Sequence, residues 1–563
     1  MTTYRGLTEK EKSILESQHC HSSDWCQIEV AENFTPYDIH NVTFDGPVRI
    51  GSMCRMRNVG IIRTTDDATF GDGITISVLN EGGDGNVIIY HGLTAQMAAF
   101  MVRHSHDHTL WEALRAMIRR EVDSLKPICT TICDNVTIYD TREITNAMIG
   151  DSTEIAGASR LAECTLNGGS DASILVSDGV ICDNCIIGAG ASLTDYAKLY
   201  DCYVGEACHI GRGFTAENSL FFANSHMDNG EACAALCGPF SVSHHKSSLL
   251  IGGEYSFYNA GSGTNFSNHA YKMGPIHWGV LMRGSKTASG AHTLWPARIG
   301  PFSMVMGKVA SHPDASQMPF SYIIAQGETT WLVPGRNLTT VGTYRDINKW
   351  PKRDRRPRGR RTSLVEYDWL NPMTIGLCVE GRNILERIRR EMGDNAASYN
   401  WNGMYIKNSS LHKGIRLYNM AIRLGMLKAL EEHEPTLPMS ASGTGTWTDM
   451  LGMLVPETEI NSLAEDIRSG ILTEIADVEA TMHDMFQAYS EYKWTWFYSL
   501  ILKECNIDSL THDDAVALKA QLTRTREEWT AAIKYDAEKE YAMGDVDEDT
   551  LNDFVRTIER TLG

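Results

Sequence analysis

The 563-residue sequence lacks any long uninterrupted apolar run. A membrane-spanning helix needs about 18 or more consecutive apolar residues, whereas the richest stretch, 494–502, is short and lies within a helical pattern. The opening segment, MTTYRGLTEKEKSILESQ, carries charges where a secretory signal needs an apolar core. We therefore expect a cytoplasmic protein whose fourteen cysteines are reduced thiols rather than a disulfide framework.

Positive charge is also scarce. The chain has 51 Lys and Arg against 71 Asp and Glu, a formal net charge of −20. Such a balance disfavours nucleic acid and anionic membranes as partners. We expect a small-molecule substrate instead, phosphorylated or sugar-like, and an anionic ligand would need a local basic pocket.

Beginning at Ile149, aliphatic residues recur every six positions. The blocks IGDSTE, IAGASR and LAECTL are followed later by IGAGAS and LTDYAK. Hexads of this kind predict short β-strands around a narrow core, with three hexads in each coil of about 18 residues. The sequence therefore predicts a mainly β solenoid, whose handedness the spacing leaves open.

Changes of pattern divide the chain into segments. Helical spacing of apolar residues appears within 93–126, and amphipathic helical patterns replace the hexads beyond about residue 340. We predict an N-terminal segment at 1–40, first β-helix coils at 41–92, an α-helical insertion at 93–126, a main β-helix at 127–340 with a polar excursion at 254–298, a basic linker at 341–363 and an α-helical domain at 364–563.

The basic linker contains the run RDINKWPKRDRRPRGRR at 345–361, with nine Lys or Arg in seventeen residues. Such a run suits phosphate or nucleic acid. Because the chain as a whole is acidic, docking against the protein's own acidic surface, or tethering of the two domains, is the favoured interpretation.

The hexads resemble those of the left-handed β-helix family of hexapeptide-repeat acyltransferases. The stretches CGPFSVSHHKSSLLIGGEYSFYNAGSGTNFSNHAYKMGPIHWG and LWPARIGPFSMVMGKVASHPD, together with the N-terminal segment, are similar to a family of uncharacterised bacterial proteins common in Bacteroidetes. This resemblance covers most of 1–370. It implies a left-handed β-helix with a helical C-terminal part and no established reaction.

The polar excursion is the strongest candidate for a site. Seven of the nineteen histidines fall within 226–312, about twice the share expected from an even spread. His226 and His244 are one predicted coil apart, so they would stack if no loop intervenes. Neutral histidine can take a proton from a nucleophile near pH 7, as acyl transfer requires. The bland alternative is that Asn and His merely occupy the turns where loops leave a β-helix.

We take His269, His245 and His244 as candidate catalytic residues. Asn side chains suit oxyanion contacts, and Lys or Arg suit anionic groups of a carrier or substrate. The candidate substrate-binding residues are Asn259, Asn265, Asn268, Tyr271, Lys272, His277, Arg283, Lys286, His292, Arg298 and Lys308.

Three segments of the sequence contain residue types that bind metal ions. RHSHDH at 103–108 and QHCHSSDWC at 18–26 place zinc-type ligands close together but lack a matching distant pair. Cys182 and Cys185 have C-x-x-C spacing, yet Cys185 falls on an inward position, which favours a core role. Some β-helix enzymes resemble a zinc carbonic anhydrase, and His226, His244 and His269 could be assigned to such a metal site. The close pair of histidines that is characteristic of it is not evident in the sequence, so this stays a minor alternative and we predict no metal ligands.

Three functions follow from these patterns. The preferred hypothesis is a homo-oligomeric transferase that moves an acyl group from a CoA or carrier thioester to a sugar or sugar-nucleotide, with no tightly bound cofactor. The second is a non-catalytic binding or scaffolding protein that recognises a phosphorylated small molecule. The third is a β-helix metal-dependent hydratase or hydrolase.

Overall fold

The computed structural model describes residues 3–83, 85–266, 278–544 and 547–562. A 27-stranded, almost entirely parallel β-sheet dominates the first half, and long helices dominate the region after residue 340. Among the described residues, no helix combines the length and the apolar character that crossing a bilayer demands.

The N-terminal part begins the parallel array. Its first strand, β1, pairs antiparallel with β3, whereas the strands that follow pair in parallel. A capping box between Thr8 and Glu11 starts helix α1. The elements are β1 (Tyr4–Gly6), α1 (Glu9–Ser17), β2 (His21–Ser22), β3 (Ile28–Ala31), β4 (Ile39–Asp45), β5 (Val48–Ile50), β6 (Arg55–Arg63) and β9 (Thr130–Ile132).

An insertion separates β6 from β9. It contains an antiparallel hairpin, β7 (Ile74–Val78) with β8 (Gly85–Ile89), and two helices, α2 (Ala95–Arg103) and α3 (His108–Leu125). Thr94 and Asp107 cap the two helices through side-chain oxygens. Part of the segment predicted as β-helix coils is therefore a hairpin outside the parallel array.

The remaining parallel strands form three ladders. The first comprises β11 (Glu143–Ile149), β13 (Arg160–Leu166), β15 (Ile181–Ile187), β17 (Lys198–Val204), β20 (Leu220–Phe221), β23 (Leu236–Cys237), β26 (Glu254–Tyr255), β27 (Val280–Leu281), β30 (Arg298–Ile299) and β33 (Asp314–Ala315). The second comprises β10 (Thr137–Tyr139), β12 (Glu154–Ala156), β14 (Leu175–Ser177), β16 (Ser192–Leu193), β18 (His209–Gly211), β21 (His226–Asp228), β24 (Val242–Ser243), β28 (Lys286–Thr287), β31 (Met304–Met306) and β34 (Tyr322–Gln326). The third continues from β17 through β19 (Thr215–Glu217), β22 (Glu231–Cys233), β25 (Leu249–Ile251), β29 (His292–Thr293) and β32 (Lys308–Val309).

The register explains why this pattern repeats. Cys185 pairs with Cys202 and Tyr203 with Leu220, seventeen positions on in each case, so equivalent residues lie side by side. Where a strand turns a corner, Asn184 and Asp201 adopt left-handed backbone conformations that short polar side chains tolerate. Cys185 is fully buried in the core, as its inward position in the hexads predicts.

The polar excursion stays in register over its described residues. Asn259 bridges Val242 and Lys286 on the second ladder, while Asn265 bridges Leu249 and His292 on the third. The described parts of the excursion thus continue the repeat rather than leave it. Its remaining part, 267–277, lies outside the described residues.

The C-terminal region packs on the ladders and on the insertion. Buried Trp369 stacks on Trp529 with ring centroids 5.9 Å apart, and Gln96 of α2 donates to the Met450 carbonyl. The elements are β35 (Thr329–Val333), α4 (Val341–Ile347), α5 (Lys349–Arg353), α6 (Pro372–Met392), β36 (Ser398–Trp401), β37 (Met404–Lys407), α7 (Asn408–Glu432), β38 (Trp447–Met450), β39 (Met453–Pro456), α8 (Glu457–Arg468), α9 (Ile475–Gln487), α10 (Tyr489–Cys505), α11 (His512–Tyr541) and α12 (Glu548–Leu562).

Candidate functional site

A row of histidines crosses the second ladder. Register pairs Ser192 with His209 and His209 with His226 on successive strands. The ring centroids of His209 and His226 are 4.6 Å apart, those of His226 and His244 are 5.7 Å apart, and those of His244 and His245 are 4.3 Å apart. We call the four histidines, His209, His226, His244 and His245, the histidine column.

A buried carboxylate lies beside the column. Asp228 is two residues after His226 on β21, and its side chain is only 3 % exposed. Its Oδ2 atom lies 3.0 Å from His226 Nε2, and its Oδ1 atom lies 3.4 Å from His209 Nε2. Within the described residues Oδ1 accepts no hydrogen bond. An ionised carboxylate so buried needs positive charge or donors close by. The exposed Arg212 supplies one cation, with its Nε atom 3.7 Å from Oδ2.

The three groups form a set that suits a metal ion. One ligand atom from each of His209, His226 and Asp228 lies within 4.8 Å of the others. No other group of three or more His, Cys, Asp or Glu side chains converges in this way among the residues that the structure describes. The segments 18–26, 103–108 and 182–185 therefore provide no such set there.

Two neighbouring residues, Ser192 and Gly211, help to fix the geometry of these three side chains. The Ser192 hydroxyl lies 2.7 Å from His209 Nδ1, which leaves Nε2 directed at Asp228. Metal-bound histidines typically have their second ring nitrogen held in this way. Gly211 keeps the space open, because a Cβ there would lie 2.6 Å from Thr194 Oγ1, 3.0 Å from His209 Nε2 and 3.2 Å from Asp228 Oδ1.

The electrostatics favour the neutral imidazole at two positions of the column, His209 and His244. Burial lowers the pKa of His209, and the neighbouring His226 lowers it further, while Asp228 opposes both. Burial also lowers the pKa of His244, with contributions from His245 and His226. Neutral imidazole is the form that binds metals and accepts protons.

The structure separates the residues predicted for the site. His244 and His245 belong to the histidine column, and Asn259 and Lys286 continue the second ladder beyond it. Lys286, however, pairs with Asp346 and donates to the Gly342 carbonyl, so its ammonium is already held by the protein. Of the predicted residues, His269, Asn268, Tyr271, Lys272 and His277 lie outside the described residues.

Other predicted residues lie on different ladders. Asn265, His292 and Lys308 are in register on the third ladder. Arg298 is exposed on the first ladder. Their strands therefore belong to ladders other than the one that carries His209 and His226.

The Arg283 guanidinium is held by groups of the protein itself. Its side chain is 1 % exposed and lies over the Phe257 ring. Its guanidinium donates to Asp449 at 3.0 Å, to the Glu366 carbonyl at 2.8 Å and to the Gly452 carbonyl at 2.9 Å. The donors predicted for an anionic ligand are therefore used to hold the helical region against the ladders.

A second concavity lies between the first ladder and the helical region. It has a volume of about 930 Å³, and its lining includes Arg103, Glu254, Trp278, Arg298 and Trp496. Burial raises the pKa of Glu254. The Arg103 guanidinium donates to the Thr448 hydroxyl and to the Asp449 carbonyl, so it serves the packing of this interface.

Sequence reasoning missed His209, Asp228, Ser192 and Gly211. A signal was present, since Ser192, His209 and His226 recur at seventeen-residue spacing. The histidine-enriched stretch begins at 226, so His209 lies outside it. Burial of Asp228 at the end of β21 has no counterpart in the hexad pattern.

Comparisons with known proteins give a family without an assigned reaction. A model described as "Domain of unknown function (DUF4954)" matches residues 4–56 and 49–389, and one described as "Domain of unknown function (DUF6819)" matches 431–546. An "Uncharacterized protein" of Treponema pallidum (strain Nichols) is 26% identical over 365 residues, which cover 60% of this chain and 49% of that protein. The chain thus spans about half the length of this relative. The chain belongs to the DUF4954 family.

Proposed function

We propose that the protein is a metal-dependent hydratase or hydrolase whose metal ligands are His209, His226 and Asp228. The observation that carries this proposal is the convergence of two imidazoles and one buried carboxylate within 4.8 Å of one another. Imidazole and carboxylate together suit zinc and neighbouring divalent transition metals.

Three protein ligands would leave a coordination position for water. A bound zinc ion supplies Lewis acidity, which lowers the pKa of such a water to about 7. His209 and His226 are partly exposed, so substrate has access from the solvent side, while Asp228 is shielded beneath them. Catalytic rather than structural zinc sites have this open arrangement.

The surrounding residues have separate tasks in this proposal. Ser192 orients His209, and Gly211 keeps the space between His209 and Asp228 open. The His244 ring, 5.7 Å from that of His226, is the nearest further group in the column that can accept a proton.

The test is metal binding by the purified full-length chain. After chelation and dialysis, zinc is titrated by calorimetry into the chain and into His226→Ala, with His40→Ala as the control because His40 is exposed on β4. We expect one zinc per chain, loss of binding in His226→Ala and unchanged binding in His40→Ala. Equal binding by all three proteins would refute the proposal.

A second candidate function uses the same residues without metal. His226 Nε2 lies 3.0 Å from Asp228 Oδ2, an arrangement in which a carboxylate orients a histidine base. This pair favours the acyl transfer expected from the sequence, from a CoA or carrier thioester to a sugar or sugar-nucleotide. Thiol release that persists in chelator and disappears in His226→Ala would favour this function over the first.

The solenoid remains part of the proposal. Three ladders with repeats of about seventeen residues support a chain that winds as a parallel β-helix, and the resemblance implies a left-handed one. We also retain a homo-oligomer as a prediction, which sedimentation analysis would test.

A further inference from the structure

The basic run 345–361 lies along the same edge as the histidine column. The Arg355 backbone N–H donates to Asn224 Oδ1 at 2.9 Å, and Asn224 Nδ2 donates to Asp354 Oδ1 at 3.0 Å. Asn224 precedes His226 by only two residues. The run therefore passes beside the strand that carries His226 and Asp228.

Contacts on both sides fix the course of the run. Buried Arg356 makes two hydrogen bonds to Asp354 and one to the Ser363 carbonyl. The backbone N–H groups of Thr362 and Ser363 donate to Glu206. At the other end, Trp350 packs against Phe257, with ring centroids 4.6 Å apart. The segment is held by the ladders, as expected for docking on the protein's own surface.

Its cations fall into two groups. Five of them, Arg345, Lys349, Arg356, Arg360 and Arg361, form ion pairs with Glu540, Asp346, Asp354 and Asp171. By contrast, Lys352, Arg353, Arg355 and Arg358 are exposed, and none of them has a carboxylate partner among the residues that the structure describes. The contacts that dock the run on the ladders therefore use the first group and leave the second free to meet a ligand.

Two of these unpaired cations lie beside the site. The Arg355 backbone N–H makes the hydrogen bond to Asn224. Arg353 lies near enough to His244 for its charge to be among the causes that lower the pKa of that histidine. Arg212 also lies at the site, since it is 65 % exposed and its Nε atom is 3.7 Å from Asp228 Oδ2. Positive charge thus borders the site in a protein of net charge −20.

We propose that Arg212, Arg353 and Arg355 form a phosphate-binding rim that recognises a phosphorylated small-molecule substrate of the metal site. This inference rests on the proposed function, since it names the substrate class of that site. Arginine is suited to phosphate because its planar guanidinium donates two parallel hydrogen bonds. A divalent ion held by one carboxylate and two neutral histidines adds net positive charge, which further favours a dianion.

Inorganic phosphate is the probe. Its binding is measured by calorimetry on the zinc-loaded full-length chain, freed of excess zinc, and on the double variant Arg353→Gln/Arg355→Gln. The matched control is Arg115→Gln/Arg119→Gln, which removes the same charge from the exposed face of α3. Melting temperature and zinc affinity are recorded for every variant.

We expect phosphate affinity to fall about tenfold or more in the rim variant, the equivalent of losing one charge-assisted hydrogen bond. Zinc affinity should be unchanged, and the control should bind phosphate like the unmodified chain. An equal fall in the control would reduce the effect to overall charge and overturn the inference. So would a zinc-loaded chain that does not bind phosphate, although the proposed metal site would survive.

If zinc does not bind, the proposed function fails and the rim is tested on the metal-free chain. Phosphate binding that disappears in Arg353→Gln/Arg355→Gln would still support the rim as an anion site. Preferential binding of an RNA oligonucleotide over phosphate at physiological salt would overturn the small-molecule class.

Discussion

The second and third ladders both display polar side chains in register. Among the described residues, the three side chains that could together bind a metal ion lie on the second ladder. On the third ladder, Asn265, His292 and Lys308 lie side by side. On the second, Ser192, His209 and His226 do so, and buried Asp228 lies next to them. The comparison teaches that repetition brings polar side chains into rows, whereas a buried carboxylate gives a row a definite chemistry.

Removal of that carboxylate should have the largest effect. We expect Asp228→Asn to weaken zinc binding by more than about 100-fold. Removal of a residue that only hydrogen-bonds to a metal ligand already lowers metal affinity by about 10–100-fold, and Asp228 is proposed as a ligand itself. The matching change on the third ladder, His292→Ala, should leave zinc binding unaltered. Calorimetric titration of both variants checks this, and similar affinities would erase the difference between the ladders.

Arg283 tests the division between structural and functional cations. Arg283→Met leaves Asp449 buried without its partner, so we expect the free energy of unfolding to fall by about 3–5 kcal/mol. Zinc and phosphate affinities should persist in the folded fraction. Urea denaturation measures the first effect. Normal stability with lost phosphate binding would restore Arg283 to the ligand-binding role predicted from sequence.

Gly211 tests whether open space is part of the site. Its alanine variant places a Cβ against Thr194 Oγ1 and His209 Nε2, so we expect zinc affinity to fall by about 10–100-fold, in the range for altered ligand surroundings. Gly6→Ala is the control, because a Cβ there meets nothing within 4 Å. A Gly211→Ala chain with full zinc affinity would show that the Thr194 and His209 side chains can move aside without weakening zinc binding.

Ser192 should have the smallest effect of the four. Ser192→Ala removes the hydroxyl at 2.7 Å from His209 Nδ1 but leaves all three ligands, so we expect a loss of about tenfold. Ser192→Thr, which retains a hydroxyl, should recover most of the affinity. Failure of this rescue would argue that Ser192 matters only for packing.

The repeat could be predicted from the sequence because aliphatic hexads report directly on inward positions. The exact number of residues between paired strands could not be predicted. A coil of about 18 residues would align His226 with His244, whereas the observed register pairs His226 with Val242 and places His244 two residues further on. Handedness depends on backbone geometry that residue spacing does not encode.

The candidate site was only partly predictable for a related reason. The histidine enrichment predicts a site within 226–312, and His244 and His245 of that stretch lie in the histidine column. Asp228 resembles any other corner aspartate in the sequence, and only its burial beneath two imidazoles distinguishes it. The course of the basic run likewise depends on individual contacts such as Arg355 to Asn224, which composition cannot specify.

Anomalous diffraction at the zinc edge, from crystals of the full-length chain grown with stoichiometric zinc, shows whether His209, His226 and Asp228 bind the metal. We expect one strong peak about 2.0–2.2 Å from His209 Nε2, His226 Nε2 and an oxygen of Asp228. A peak bound by other residues, or no peak while these three side chains are ordered, would contradict it.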